Sequence, residues 1–476
     1  ESEKTMLQLL LGGSGSGKTT LLYQRIRARA EKGEKSILLV PEQFTSSTEG
    51  RIYRELGDAL SGMVESFSFT SLAEKILSTE GGAAVQTLSD AGRAVLVRRA
   101  LEELQDNVHY YHRHRRSAAF CQMAAQTIDE LKSAGLSGQQ LAQLAGACGA
   151  ESGKLSELAL IFQGYETLLA RSGMDPSDRL ELAGARLEEA LARHSLPEFL
   201  RDRAVFIDEF DTFNAPKKRL LGAMLAALPS VTVALCDDGA PLLPGDLSLF
   251  SGAKQVAAQL RQLARKNGAE VAVPQLLRKD LRHRNAPGLA AVAELLETGS
   301  CTADAPAGEV RLFAAPSREE EARAAAGAIR RLMRQGVRCG KIAVVCRDIA
   351  KYRAAVRYEF RMAEIPLYCD EPTTPEFSAP ATAVRALLEI ARGADLTENL
   401  TTLAKTGLCA LSEEQVCALE NYAYTWAPTA AAWREKFERS PKGFGEQELT
   451  EEDLRNRERA EHARALLVGA VDAFRA

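Results

Sequence analysis

The chain has 476 residues, 46% hydrophobic and 26% charged, with 35 glycines and 17 prolines. That is the balance of a globular protein of roughly two to four domains, and it excludes a disordered or collagen-like chain. Lys and Arg number 60 against 64 Asp and Glu, a formal charge of −4, so no global positive field draws in polyanions and any nucleic-acid contact rests on local patches. Nine cysteines, at 121, 148, 236, 301, 339, 346, 369, 409 and 417, form no CxxC pair, which implies neither a disulfide framework nor a zinc site and points to a reducing, cytoplasmic setting.

LQLLLGGSGSGKTTLLYQRIRARAEKG opens with a short apolar strand, a turn of small residues and a helix in which Leu21, Leu22 and Ile26 recur at helical spacing. Ser36 to Pro41, SILLVP, is a near-continuous apolar run of the kind buried on both faces of a parallel sheet, completing a βαβ opening. Met63 to Phe69 reads as a third strand. From about 75 to 195 Leu, Ala, Glu, Gln and Arg dominate and strand signals vanish, so a helical insertion is predicted.

Strands return at Ala204–Phe210, AVFIDEF, and Val231–Asp238, VTVALCDD, joined by a helix containing LLGAMLAAL. Leu220–Cys236 is the most apolar stretch, but Pro229 divides it into helix and buried strand and excludes a membrane span there. No secretory signal pattern opens the chain. The polar stretch CTADAPAGE at 301–309 marks a boundary. Beyond it VRLFAAP, a long Ala/Arg/Glu helix, KIAVVCRD and another helix predict a second α/β domain. From about 395 the chain is polar and helical, and ALLVGAVDAFRA stops inside an apolar helical period, as expected of a piece of a longer protein.

Gly12–Thr19, GGSGSGKT, satisfies G-x-x-x-x-G-K-[ST] between a strand and a helix. The predicted phosphate cradle is Gly12, Gly13, Ser14, Gly15, Ser16, Gly17, Lys18, Thr19 and Thr20: backbone N–H groups turn inward, Lys18 reaches the β and γ phosphates of ATP, and Thr19 holds Mg²⁺. Asp208 and Glu209 follow the apolar VFI of a neighbouring strand, which suits Asp208 to Mg²⁺ and Glu209 to activating the attacking water.

GGSGSGKTT, LLVPEQFT, FIDEFDTFN and KIAVVCRDIAKYRAAVRYEF resemble superfamily 1 helicases of the UvrD/Rep type. SFTSLAEKIL at 68–77, DLSLF near 250 and NYAYTW at 421–426 resemble more closely the AddB/RexB subunit of bacterial AddAB-type helicase-nucleases. The resemblance implies an α/β P-loop fold with two RecA-like parallel-sheet domains: domain 1A over 1–75 and 196–270, a helical 1B insertion over 76–195, domain 2A over 271–394 and the start of a 2B insertion over 395–476. It places Arg282 where a γ-phosphate-sensing arginine stands, with Arg284 as its rival. It implies a partner of the AddA type in a heterodimer, single-stranded DNA and duplex ends as ligands, a role in double-strand-break repair, and scanning for a recombination hotspot. An iron-sulfur cluster is implied only for a C-terminal nuclease domain, and no nuclease carboxylate motif occurs in this piece.

Two departures weigh on the motor reading. Only eleven residues precede Gly12, too few for an upstream adenine-reading glutamine, and Asp237, Asp238 and Gly239 follow the last strand of the first domain without a glutamine. An autonomous motor is the alternative function, and a small-molecule P-loop kinase a third. For DNA the resemblance points to Gln43, Phe44 and Thr45 and to Ser66, Phe67 and Thr70, the phenylalanines being either base-stacking or core. HYYHRHRRS, His109–Ser117, offers Arg113, Arg115 and Arg116 to phosphates or is a solvated helix end; its histidine spacing fits no recognised zinc set.

Overall fold

The computed structural model describes residues 5–475 apart from 83, 85, 301–308, 370–374, 395 and 446–447; Cys301 and most of the expected boundary stretch lie outside the described residues. The chain divides into two units, Glu1–Leu312 and Phe313–Ala476.

The first unit is built on a sheet of β1 (Met6–Gly12), β2 (Ser36–Leu39), β3 (Val64–Phe67), β4 (Ala204–Ile207), β5 (Ser230–Cys236), β6 (Glu270–Val271) and β7 (Gln275–Leu277). Their order is β3-β2-β4-β5-β1-β6, with β7 also on β1, and every pairing is parallel. Both faces are covered, which is why the strands read as unbroken apolar runs. Side chains alternate across the pleat: Leu7, Leu9, Leu11, Ile37, Leu39, Val205, Ile207 and Val233 enter one core, while Leu10, Leu38, Val40, Phe206 and Ala234 enter the other.

Helices α1 (Lys18–Glu31) and α2 (Thr45–Leu56) close the second core with Leu22, Ile26, Ile52 and Leu56; the one-turn α3 (Asp58–Ser61) follows. On the other face lie α4 (Phe69–Glu80), and, later in the chain, α9 (Pro176–Ala192), α10 (Ala215–Ala227) and α11 (Ser251–Lys266). Between α4 and α9 the chain forms α5 (Asp90–Glu103), α6 (Ala118–Ser133), α7 (Gly138–Ala145) and α8 (Ser152–Ser172), which enclose a separate core around Val97, Ile128, Phe162 and Tyr165. Lys132 of this block joins Asp175 and Asp178 at 2.8 Å, and the Tyr165 hydroxyl donates to Asp175 at 2.5 Å. Helix α12 (Pro287–Thr298) is the last helix of the unit among its described residues.

Two expectations need correction. Residues from 271 were expected in the second domain, yet β6 and β7 pair with β1 and the first unit runs to Leu312. A short edge strand carries too little periodicity to show which sheet it joins; the register along β1 decides it. The second unit was expected to contain a parallel sheet, but among its described residues no strand occurs. It consists of α13 (Arg318–Arg334) and α14 (Ile349–Met362) around Ile329, Val356 and Phe360. It also holds α15 (Ala379–Ala391), α16 (Leu396–Lys405), α17 (Glu413–Trp426) and α18 (Glu451–Arg475) around Trp433, Leu419 and Leu467. The apolar run KIAVVC has strand composition, but a strand exists only with a laddering partner, and Val344 and Val345 stand 49% and 91% exposed. The α/β class therefore rests on the first unit.

Candidate nucleotide-binding site

β1 ends at Gly12 and α1 begins at Lys18, so the five residues from Gly13 to Gly17 make the whole turn. Gly15 and Gly17 have φ of 78° and 90°, the left-handed region where a side chain is strained. Gly17 caps α1 without a side-chain hydrogen bond, which leaves the first N–H groups and the positive end of the helix dipole for an external acceptor. The buried Ser16 Oγ has no hydrogen-bond partner, an orphaned polar atom in the same turn.

The Lys18 ammonium donates to Gly12 O at 2.7 Å and Gly13 O at 2.8 Å. Burial pushes its pKa below the ordinary lysine range, while the charges of Cys236 and Asp208 act in the other direction. Cys236 stands beside Gly12 in the parallel register. One strand further, β4 delivers Asp208, 6% exposed, whose N–H donates to Leu39 O at 3.1 Å. Asp208 Oδ1 accepts the Glu209 N–H at 3.0 Å, and this turn holds Glu209 at φ 65°, an uncommon conformation for a non-glycine residue. Burial and then the Asp208 charge raise the Glu209 pKa, partly offset by Arg51. Thr19, Tyr23, Phe44, Arg51, Asp208 and Glu209 line one cavity of about 200 Å³. Among the described residues no three His, Cys, Asp or Glu side chains gather as a metal cage. A single threonine and a single buried aspartate suit Mg²⁺, which keeps most of its ligands from water and substrate phosphates.

Arg282 reaches the turn from the first unit itself. Its Nη1 donates to Ser14 Oγ at 3.2 Å, the Leu281 N–H donates to Gly15 O at 3.0 Å, and Asp280 Oδ1 accepts the N–H groups of Arg282 and His283 at 3.0 Å. Arg284 is exposed and has no ion pair among the described residues. Thr20 is exposed beside the turn. Sequence reasoning missed Glu297 and Arg51. The Glu297 carboxylate lies so close to the turn that a Cβ on Gly13 would stand 2.8 Å from its Oε1. Neither residue belongs to a spacing motif; only packing brings them in.

Of the candidate DNA contacts, Gln43 and Thr70 are exposed and Phe44 is 38% exposed. Phe67 instead packs inward, its ring 6.4 Å from that of Phe199. The basic run forms a short 3₁₀ turn, His112–His114, fixed from outside: the Glu157 carboxylate accepts the N–H groups of His109 and Tyr110 at 2.8 Å and of Tyr111 at 3.1 Å. Arg113 and Arg116 are exposed, Arg115 is half-buried, and the three have no ion pair among the described residues.

A parallel sheet covered by helices on both faces, with a glycine-rich turn after β1 and a buried acid after β4, defines an α/β protein. Residues 9–293, more than half of the chain, match the family described as ADDB, N-terminal, and the chain belongs to that family. A protein from Desulforudis audaxviator, named as the B subunit of an ATP-dependent helicase/deoxyribonuclease, is 32% identical over 446 residues, covering 90% of this chain and 37% of its own length. Proteins of the same name from Symbiobacterium thermophilum and Clostridium perfringens are 31% and 27% identical, covering 90% and 98% of this chain and 38% and 41% of their own. The chain thus spans about two fifths of the length of these curated relatives. No helix among the described residues is long and apolar enough to cross a membrane.

Proposed function

We propose that the chain is the helicase-like, nucleotide- and strand-binding part of a B subunit of an ATP-dependent helicase-nuclease that works in the cytoplasm on DNA double-strand breaks. The observation that carries this is the cavity in which Thr19, in the first turn of the helix after the glycine-rich turn, meets Asp208 and Glu209, which follow strand β4. In this reading the backbone N–H groups from Gly13 to Thr20 hold the phosphates of ATP, and Lys18 exchanges its two carbonyl acceptors for phosphate oxygens. Thr19 and Asp208 hold Mg²⁺, which neutralises charge on the phosphates when bound. Glu209 accepts a proton from water, a task that its raised pKa favours. Arg282, held on Ser14, supplies a cation at the phosphates.

Single-stranded DNA runs past Gln43, Phe44 and Thr45, where Phe44 offers an exposed ring for stacking, and duplex DNA meets Arg113, Arg115 and Arg116. The relatives are named as B subunits, so an A-type partner completes the machine, and the strand-facing surface reads the DNA for a hotspot sequence. Nuclease chemistry belongs outside the described residues.

The second reading is an autonomous motor, favoured by the presence of Lys18, Asp208 and Glu209 together in the sequence. ATP turnover with and without single-stranded DNA, beside Lys18→Ala, decides between them. Nucleotide binding with little turnover supports the recognition role; strong DNA-stimulated turnover that the substitution abolishes supports the motor. Absence of nucleotide binding refutes both.

A further inference from the structure

Helix α2 presents Phe44 (just before its first residue), Ser47, Thr48, Arg51 and Arg54 to the cavity that holds Asp208 and Glu209. These positions follow the helical spacing of three and four residues, so one stripe of one rigid rod runs from the exposed ring of Phe44 to the acid pair. The opposite side of α2 is anchored by the buried Ile52 and Leu56 against Leu22 and Ile26 of α1. The half-buried Arg51 has an unusual situation for a cation facing two carboxylates. It has no ion-pair partner among the described residues; its guanidinium instead lies over the Tyr23 ring, 4.9 Å from the centroid. A guanidinium stacked in this way keeps its donors free at its edge. Its charge acts on both the Glu209 carboxyl and the Tyr23 phenol. From Thr45 to Arg51 along a helix rising about 1.5 Å per residue the distance is roughly 9 Å, too short for the two ends to move independently.

We propose that Arg51, braced on Tyr23, is the positioning residue through which occupancy of the strand-facing segment Gln43–Thr45 changes the affinity of the neighbouring site for a magnesium-bound nucleoside triphosphate. The inference rests on the nucleotide and strand reading above and adds the residue that links the two ligands. Displacement of Phe44 by a stacked base tilts α2 and shifts the Arg51 guanidinium relative to Glu209. Linkage requires the effect to be reciprocal.

The test measures binding, not turnover. Affinity of the whole chain for a fluorescent non-hydrolysable ATP analogue with Mg²⁺ is compared with and without saturating oligothymidine, for the wild type, Arg51→Met and Arg51→Lys. The wild type is expected to change its nucleotide Kd by roughly 5- to 10-fold when DNA is bound, within the usual range of such couplings. Arg51→Met reduces that factor to below about twofold, read as the ratio of its own Kd values with and without DNA, and Arg51→Lys restores most of it. A merely structural role for Arg51 cannot produce that pattern. If Arg51→Met melts early, Arg51→Gln carries the comparison. The proposal is overturned by a wild-type factor in Arg51→Met, by no DNA effect in the wild type, or by loss of DNA-free nucleotide binding in Arg51→Met. Failure of the wild type to bind nucleotide at all would refute the underlying assignment instead.

Discussion

Replacing Lys18 with methionine keeps the length and packing of the side chain and removes its charge. In the free protein the ammonium makes two hydrogen bonds, to Gly12 O at 2.7 Å and Gly13 O at 2.8 Å, and burial works against its charged form. The lost bonds and the relieved desolvation oppose each other, so stability should move by only about 1 kcal/mol or less. The bound state differs. A triphosphate offers charged acceptors, and a hydrogen bond to a charged group contributes about 1.5 to 3 kcal/mol, while the carbonyl bonds that are given up reduce the gain to roughly one such interaction. At 1.4 kcal/mol per tenfold, ATP affinity should fall by roughly 10- to 150-fold. Because Lys18 is assigned to the β and γ phosphates, adenosine affinity should not change. Titration calorimetry with ATP and adenosine, together with thermal melting, measures all three quantities. A Lys18→Met protein that melts normally and binds ATP within about twofold of wild type would refute the phosphate assignment of the glycine-rich turn.

In the helical block, Lys132→Met strands the Asp175 carboxylate, 1% exposed in its ion pair, with the Tyr165 hydroxyl still donating to it. Breaking a buried pair from one side costs about 3 to 5 kcal/mol, and adding Asp175→Asn should recover more than half in urea unfolding followed on that block. The Arg179 guanidinium, bonded to Glu74 across α4 and α9, holds the Glu74 carboxyl below the usual range. Stability from a depressed carboxyl is complete above its unfolded pKa and is lost as pH falls through the lower folded value. Glu74→Gln should therefore cost about 0.5 kcal/mol at neutral pH, the scale of a solvent-screened pair, and the gap should close on acidification; a gap that widens in acid contradicts the pairing. For DNA, removing Arg113 or Arg116 should lower the salt slope of duplex affinity by about 0.9 for each phosphate no longer neutralised. An unchanged slope removes the 3₁₀ turn from the interface.

Some of the site was legible residue by residue. Strand, glycine turn and helix succeed one another within the segment from Met6 to Glu31, so local periodicity and turn chemistry sufficed to place Gly12–Thr19. The run VFIDEF announced a buried strand ending in acids for the same reason. The sheet's extent was not legible: β6 and β7 have two and three residues, too few for a period to stand out. KIAVVC misled because apolar composition signals burial in a strand only where a partner strand exists. Arg282 was expected from a second domain, and its segment instead folds back on the turn that ends β1.

What the amino-acid order determined by itself was what hydrogen bonding and side-chain period settle over a few turns: strands β1 to β5 of the sheet, the cradle between β1 and α1, and the helical character of the insertion. Only the tertiary structure decided which distant groups share the site, since Arg51, Glu297 and Cys236 reach the cradle through strand order and helix packing. Such meetings depend on which elements become neighbours, and the approach of two residues far apart in the chain leaves no periodic trace in either segment.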